Sequence, residues 1–75
     1  MSNGTRILMV DDEPDILLVY AKMLRLEGYE VREASTGQQG LQMTRRTRPD
    51  LVMLDVHLPD LGGVEVCRQI KADPA

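Results

Sequence analysis

An α/β fold built on a parallel sheet is predicted by two features of this 75-residue chain. The first is alternation. Three short apolar runs, Arg6–Val10, residues 29–33 and Leu51–Leu54, are separated and followed by longer stretches of helical periodicity. Strands joined through helices call for right-handed crossovers between parallel neighbours. The second is placement. Asp11-Asp12 and Asp55 come directly after the first and third runs. In a parallel sheet that edge is where ligands and chemistry sit.

Residues 1–5 are polar and are expected to form a flexible lead-in. Arg6–Val10 is a continuous apolar run behind one charged residue, hence a strand. Asp12 and Pro14 then open a helix, the acid as N-cap and the proline at the first helical position, where its missing N–H has no partner to lose. Ile16, Leu17, Val19, Tyr20, Met23, Leu24 and Leu26 form a broad apolar stripe, and Gly28 stops the helix after about Glu27.

The second strand, residues 29–33, is more polar than the others and suits a sheet edge. Ser35 or Thr36 caps a helix over Gly37–Thr47, in which Gly37 and Gly40 each cost about 1 kcal/mol relative to Ala. Pro49 hands the chain to Leu51–Leu54, four apolar residues that read as a strand buried on both faces. Pro59 and Gly62-Gly63 force a loop. A third helix, Gly63–Ala72, is expected to turn Val64, Cys67 and Ile70 inward.

Composition excludes several classes. Twelve acidic residues against nine basic ones give a net charge of −3, which argues against direct nucleic-acid binding. No apolar run reaches membrane-spanning length, and the N-terminus lacks the basic-then-apolar pattern of a signal peptide, so a cytoplasmic location is expected. One cysteine allows no internal disulfide, and no Cys/His group suggests zinc. With two Tyr, no Phe and no Trp, the core falls to Leu, Ile, Val and five Met. The run Arg45, Arg46, Arg48 is best read as a solvated helix end that complements the helix dipole.

If the first and third strands lie side by side, Asp11, Asp12 and Asp55 meet. Three carboxylates in one place repel, and a raised pKa or a hard cation such as Mg2+ relieves them. With the charge offset, one carboxylate can attack a phosphoryl group and form an aspartyl phosphate.

Four motifs carry a family resemblance. They are Val10-Asp11-Asp12-Glu13-Pro14, Gly28-Tyr29-Glu30-Val31, Arg48-Pro49-Asp50-Leu51-Val52-Met53-Leu54-Asp55 and Leu58-Pro59-Asp60-Leu61-Gly62-Gly63. Together the chain resembles the N-terminal half, over residues 6–75, of a response-regulator receiver domain of two-component signalling. The resemblance implies a truncated flavodoxin-like, doubly wound parallel sheet, β1-α1-β2-α2-β3-α3, with strand order 2-1-3. It implies that Asp55 is the phosphoacceptor and belongs to the Mg2+ site. Asp12 would bind the ion directly, Asp11 mainly through water, and His57 through its backbone carbonyl. The phosphodonor would be a sensor histidine kinase. Gly62-Gly63 departs from the Asp-Gly common in such loops.

A complete receiver has two further strands and helices carrying a Ser or Thr and a Lys that respond to the phosphoryl group. Neither residue can be assigned in these 75 residues, so the chain alone is expected not to complete the switch. Strand order 2-1-3 also leaves the third-strand edge and one face of the first helix open, and such an edge can pair with another strand. The alternative reading is therefore a non-signalling homodimeric assembly module, joined through that edge or that face. A Mg2+-dependent phosphohydrolase is disfavoured, because Asp55-Val56-His57 lacks the second acid of an Asp-x-Asp pair.

Overall fold

The computed structural model describes residues 4–55 and 58–72. Its elements run β1 (Arg6–Val10), α1 (Pro14–Leu26), β2 (Glu30–Ala34), α2 (Gly37–Thr47), β3 (Leu51–Leu54) and α3 (Gly63–Ala72). The strands form one parallel sheet in the order β2-β1-β3, as expected. Ile7 lies beside Val31 on one flank and Leu51 on the other; Val10 lies beside Ala34 and Leu54. Laterally paired residues share a sheet face, so this register sorts the core into two layers.

One layer is well filled. Leu8, Val10 and Ala34 of the sheet pack with Leu41, Leu58 and Val66, and Val52, Leu54 and Ile70 close around them. The two glycines that weaken α2 have a packing reason. A Cβ on Gly40 would lie 2.9 Å from Val10 Cγ2, and one on Gly37 would lie 2.9 Å from Leu61 Cβ. The opposite layer joins Ile7, Met9 and Val31 to Leu17 and Ala21 of α1. Arg25 of α1 reaches across to β2, donating to the Val31 carbonyl at 2.8 Å and pairing with Glu33 at 3.0 Å.

Four expectations need correction. β3 is not buried on both faces: Leu51 is 51% exposed and Met53 is also open, because α1 covers β1 and β2 but leaves β3 bare. In α3 Val64 points outward, 77% exposed, while Val66 is fully buried. β2 starts at Glu30, because the Tyr29 N–H is spent on the Leu24 carbonyl at the end of α1. The N-cap of α1 is Glu13 rather than Asp12, and its side chain makes no cap hydrogen bond. The open face of α1 is present as expected, with Val19, Tyr20 and Met23 exposed. No helix among the described residues is long and apolar enough to cross a membrane.

The N-terminus of α2 is satisfied from two directions. Thr36 is its N-cap and accepts from the Gln39 N–H at 3.1 Å. The Gly37 and Gln38 N–H groups donate to the two carboxylate oxygens of Asp60, at 2.7 and 2.9 Å. Those bonds, that from Gln38 first and that from Gly37 second, hold the Asp60 carboxyl below its ordinary 3.8. A carboxyl lowered by folding contributes stability above its unfolded pKa, and that contribution is lost as pH falls through the folded value. The Gly37 and Gln38 amide resonances are therefore expected to follow an acid transition centred below 3.8. Asp60→Asn should remove that acid transition, and its persistence in the variant would assign it to another group.

Candidate metal and phosphoryl-acceptor site

The acidic site is assembled by strand pairing. The Asp11 N–H donates to the Ala34 carbonyl at 3.0 Å, so β1 is still held to β2 at that residue. The Asp55 N–H donates to the Val10 carbonyl at 2.9 Å, one step past the last β1–β3 register pair, Val10 with Leu54. Both carboxylates thus leave the same end of the sheet from adjacent strands. Asp11 also turns back on its own chain, its Oδ1 accepting from the Glu13 N–H at 3.0 Å, which directs the chain into α1.

One carboxylate oxygen from each of Asp11, Asp12 and Asp55 lies within 4.8 Å of the others. Asp11 and Asp55 are half-buried and Asp12 is exposed. Three hard oxygen donors suit Mg2+, which takes oxygen ligands at about 2.0–2.1 Å and retains several waters. A Mg2+ ion held there would take oxygen atoms from these carboxylates and complete its shell with water. The structure brings the three predicted carboxylates together. The fourth predicted ligand, the His57 backbone carbonyl, lies outside the described residues.

Beside the carboxylates an open groove of about 180 Å³ runs between α1 and β3. Ile16, Tyr20 and Met53 line it, and it ends on Asp11 and Asp55. The opposite end of the strands is basic: Arg6, Arg32 and Arg46 border a cleft with Glu30 and Thr47. Arg45 and Arg46 lie in the last turn of α2 and Arg48 is its C-cap, all exposed, in keeping with a solvated helix end.

A model of the response regulator receiver domain matches residues 7–75. The chain belongs to that family. Its receiver sequence is 44% identical over 68 residues to the DNA-binding response regulator MtrA of Mycolicibacterium smegmatis, covering 91% of this chain and 30% of that protein. It is 44% identical over 66 residues to the alkaline phosphatase synthesis transcriptional regulatory protein PhoP of Bacillus subtilis, covering 88% of this chain and 28% of that one. The chain thus spans less than a third of these curated relatives.

Solved receiver domains share the fold. A CheY-like receiver protein from Methanospirillum hungatei superposes with a TM-score of 0.90 at 37% identity, over 96% of this chain and 58% of that one. A receiver domain protein from Clostridium thermocellum gives 0.87 at 34% identity, over 91% and 56%. The receiver fold and family expected from the four motifs are therefore present.

Residue-by-residue reading missed one contact near the site. Asp60 enters the sequence reading only as a member of the motif over residues 58–63, with no role of its own, yet it satisfies the first two amides of α2. A signal for it existed: α2 has no acid in its own first turn, so its N-terminal amides wait on an acceptor from elsewhere.

Proposed function

We propose that this receiver module accepts a phosphoryl group on Asp55 from a sensor histidine kinase, in a Mg2+-dependent phosphorelay in the cytoplasm. The observation that supports this reading most is the gathering of Asp11, Asp12 and Asp55 within 4.8 Å at the carboxyl end of adjacent parallel strands. Asp12 and Asp11 would hold Mg2+, Asp12 directly and Asp11 mainly through water, with Asp55 and the His57 carbonyl completing the protein ligands. The ion supplies charge neutralisation for an anionic nucleophile approaching an anionic phosphoryl group. An Asp55 carboxylate oxygen bonds to phosphorus as the P–N bond of phosphohistidine breaks. The imidazole leaves with the bonding pair, and the product is a mixed anhydride. Asp55 acts as nucleophile and is consumed stoichiometrically, so the role is that of a signalling module and not of an enzyme with turnover.

The test is to incubate the chain with a phosphorylated histidine kinase and Mg2+ and to map the added phosphoryl mass by peptide mass spectrometry. Label on Asp55 that vanishes on chelation is the expected result; label elsewhere, or none, would refute the assignment. These 75 residues on their own are proposed to accept without completing a switch, so amide spectra away from the acidic site should be unchanged by the modification.

Metal binding to the folded chain also stabilises it by mass action. At a Mg2+ concentration near 100 times the dissociation constant, unfolding free energy should rise by about 2.7 kcal/mol. Chelation should reverse the gain. An unchanged urea midpoint would show that the cluster holds no Mg2+.

A second reading draws on the exposed Val19, Tyr20 and Met23 of α1 and Leu51 and Met53 of β3. That surface suits homodimeric assembly through the open face or the β3 edge. Native mass spectrometry separates the two, since assembly requires a dimer mass with or without Mg2+.

A further inference from the structure

We propose that Asp60 is a positioning residue for the acidic site: by latching the segment after β3 onto the first turn of α2, it fixes the spacing of the two chain arms that carry Asp11 and Asp55. The proposal rests on the reading of those carboxylates as a Mg2+ and phosphoryl-acceptor site.

The geometry begins at α2. Its first turn presents three amides, those of Gly37, Gln38 and Gln39. Thr36 takes the third, and Asp60 takes the first two with one oxygen each. This carboxylate comes from 22 residues away and not from the helix's own flank. The approach is close enough to require glycine. A Cβ on Gly37 would meet Leu61 Cβ at 2.9 Å, Val66 Cγ2 at 3.0 Å and Asp60 Oδ1 at 3.1 Å. The Gly37 φ is not positive, so the requirement is one of space and not of backbone conformation.

The same helix touches the other arm. Gly40, one turn along, packs against Val10, the last residue of β1 and the one before Asp11. α2 therefore bridges both arms of the site. Upstream, Gly40 meets β1 beside Asp11. Downstream, Asp60 holds the chain that leaves Asp55, with Leu58 buried in the core between them. Asp55 itself is tied to Val10 by its N–H. The chain on each side of the acceptor is thus anchored, one end on β1 and the other on α2. Loss of the latch leaves Leu58 to hold the downstream arm, and the Asp55 carboxylate is then less tightly fixed in its distance from Asp11 and Asp12.

The test uses Asp60→Ala, which removes both acceptors, and Asp60→Asn, which keeps one. Gly37→Ala is a third variant that leaves Asp60 intact but blocks its approach. Amide spectra of the metal-free variants are recorded first. The expected result is that Asp11, Asp12 and Asp55 resonances move in Asp60→Ala and Gly37→Ala, and less in Asp60→Asn. Changes confined to Gly37, Gln38 and their neighbours would reduce Asp60 to a local helix cap and overturn the proposal.

Mg2+ titration by calorimetry follows. Outer partners of metal sites typically alter affinity by about 10–100-fold, so the dissociation constant should rise about 10-fold in Asp60→Ala, with partial recovery in Asp60→Asn. Equal Mg2+ affinity in a folded Asp60→Ala and the parent would also overturn it. If the parent itself binds no Mg2+, the functional reading fails, while the metal-free spectra still decide whether Asp60 positions the three carboxylates. Should Asp60→Ala not fold, Asp60→Asn and Gly37→Ala carry the same comparison.

Discussion

Replacing Asp55 by Asn is expected to abolish phosphoryl uptake while leaving the fold intact. The Asp55 side chain lies beyond the last strand pair, half-buried, and its backbone N–H still reaches Val10 whatever the side chain. An amide is nearly isosteric but is a far poorer nucleophile and carries no charge to attract a cation. Two losses therefore combine: the reacting oxygen and one of three anionic donors. Asp12→Asn and Asp11→Asn should weaken Mg2+ binding and slow transfer without eliminating it, because Asp55 remains. The check is quantitative mass spectrometry of each variant after exposure to the phosphorylated kinase. An Asp55→Asn chain labelled as fully as the parent would move the acceptor elsewhere.

The second large effect is on stability. Leu8 is 0% exposed, lies in the central strand, and anchors the layer formed with Leu41, Leu58 and Val66. Leu8→Ala deletes its buried side-chain carbons and leaves a cavity, at about 2–5 kcal/mol. A domain of this length has a total of roughly 4–11 kcal/mol at ordinary per-residue stabilities. The variant should therefore lose a large fraction of its stability. With a urea slope of about 1 kcal/mol per molar for so small a chain, the midpoint should fall by about 2 M or more. A fall below about 0.5 M would mean that the layer collapses around the gap, and Leu8 would lose its claim as the centre of the core.

Much of this was legible in the residues. Arg6–Val10, Gly37–Thr47, Leu51–Leu54 and Gly63–Ala72 have the bounds that apolar runs, caps and breakers implied. The carboxylate cluster followed from strand alternation, since parallel neighbours bring their carboxyl ends to one edge. What escaped depended on tertiary choice. The spacing of Val64, Val66, Cys67 and Ile70 allows more than one inward face, and the close approach of Val66 to Gly37 selects the face that exposes Val64. β3 is apolar enough for double burial, but α1 lies over β1 and β2, a matter of helix placement that a four-residue run cannot encode. Asp60 escaped because a carboxylate beside Pro59 is good turn chemistry in itself, and its two amide partners are more than twenty residues away.

The order β2-β1-β3 places the first of these three strands to be synthesised in the middle of the sheet. Met9 pairs with Glu33 on one side and with Met53 on the other, separations of 24 and 44 residues. Closing the longer connection costs only about 0.5 kcal/mol more than the shorter, less than one doubling of loop length. The two pairings are thus nearly equal in chain entropy, and timing distinguishes them. At about 5–20 residues per second, the ribosome needs about 2–9 s between Met9 and Met53. For that interval the most apolar strand of the nascent chain has one flank without its partner, and protease sensitivity of stalled nascent chains should drop once β3 has emerged.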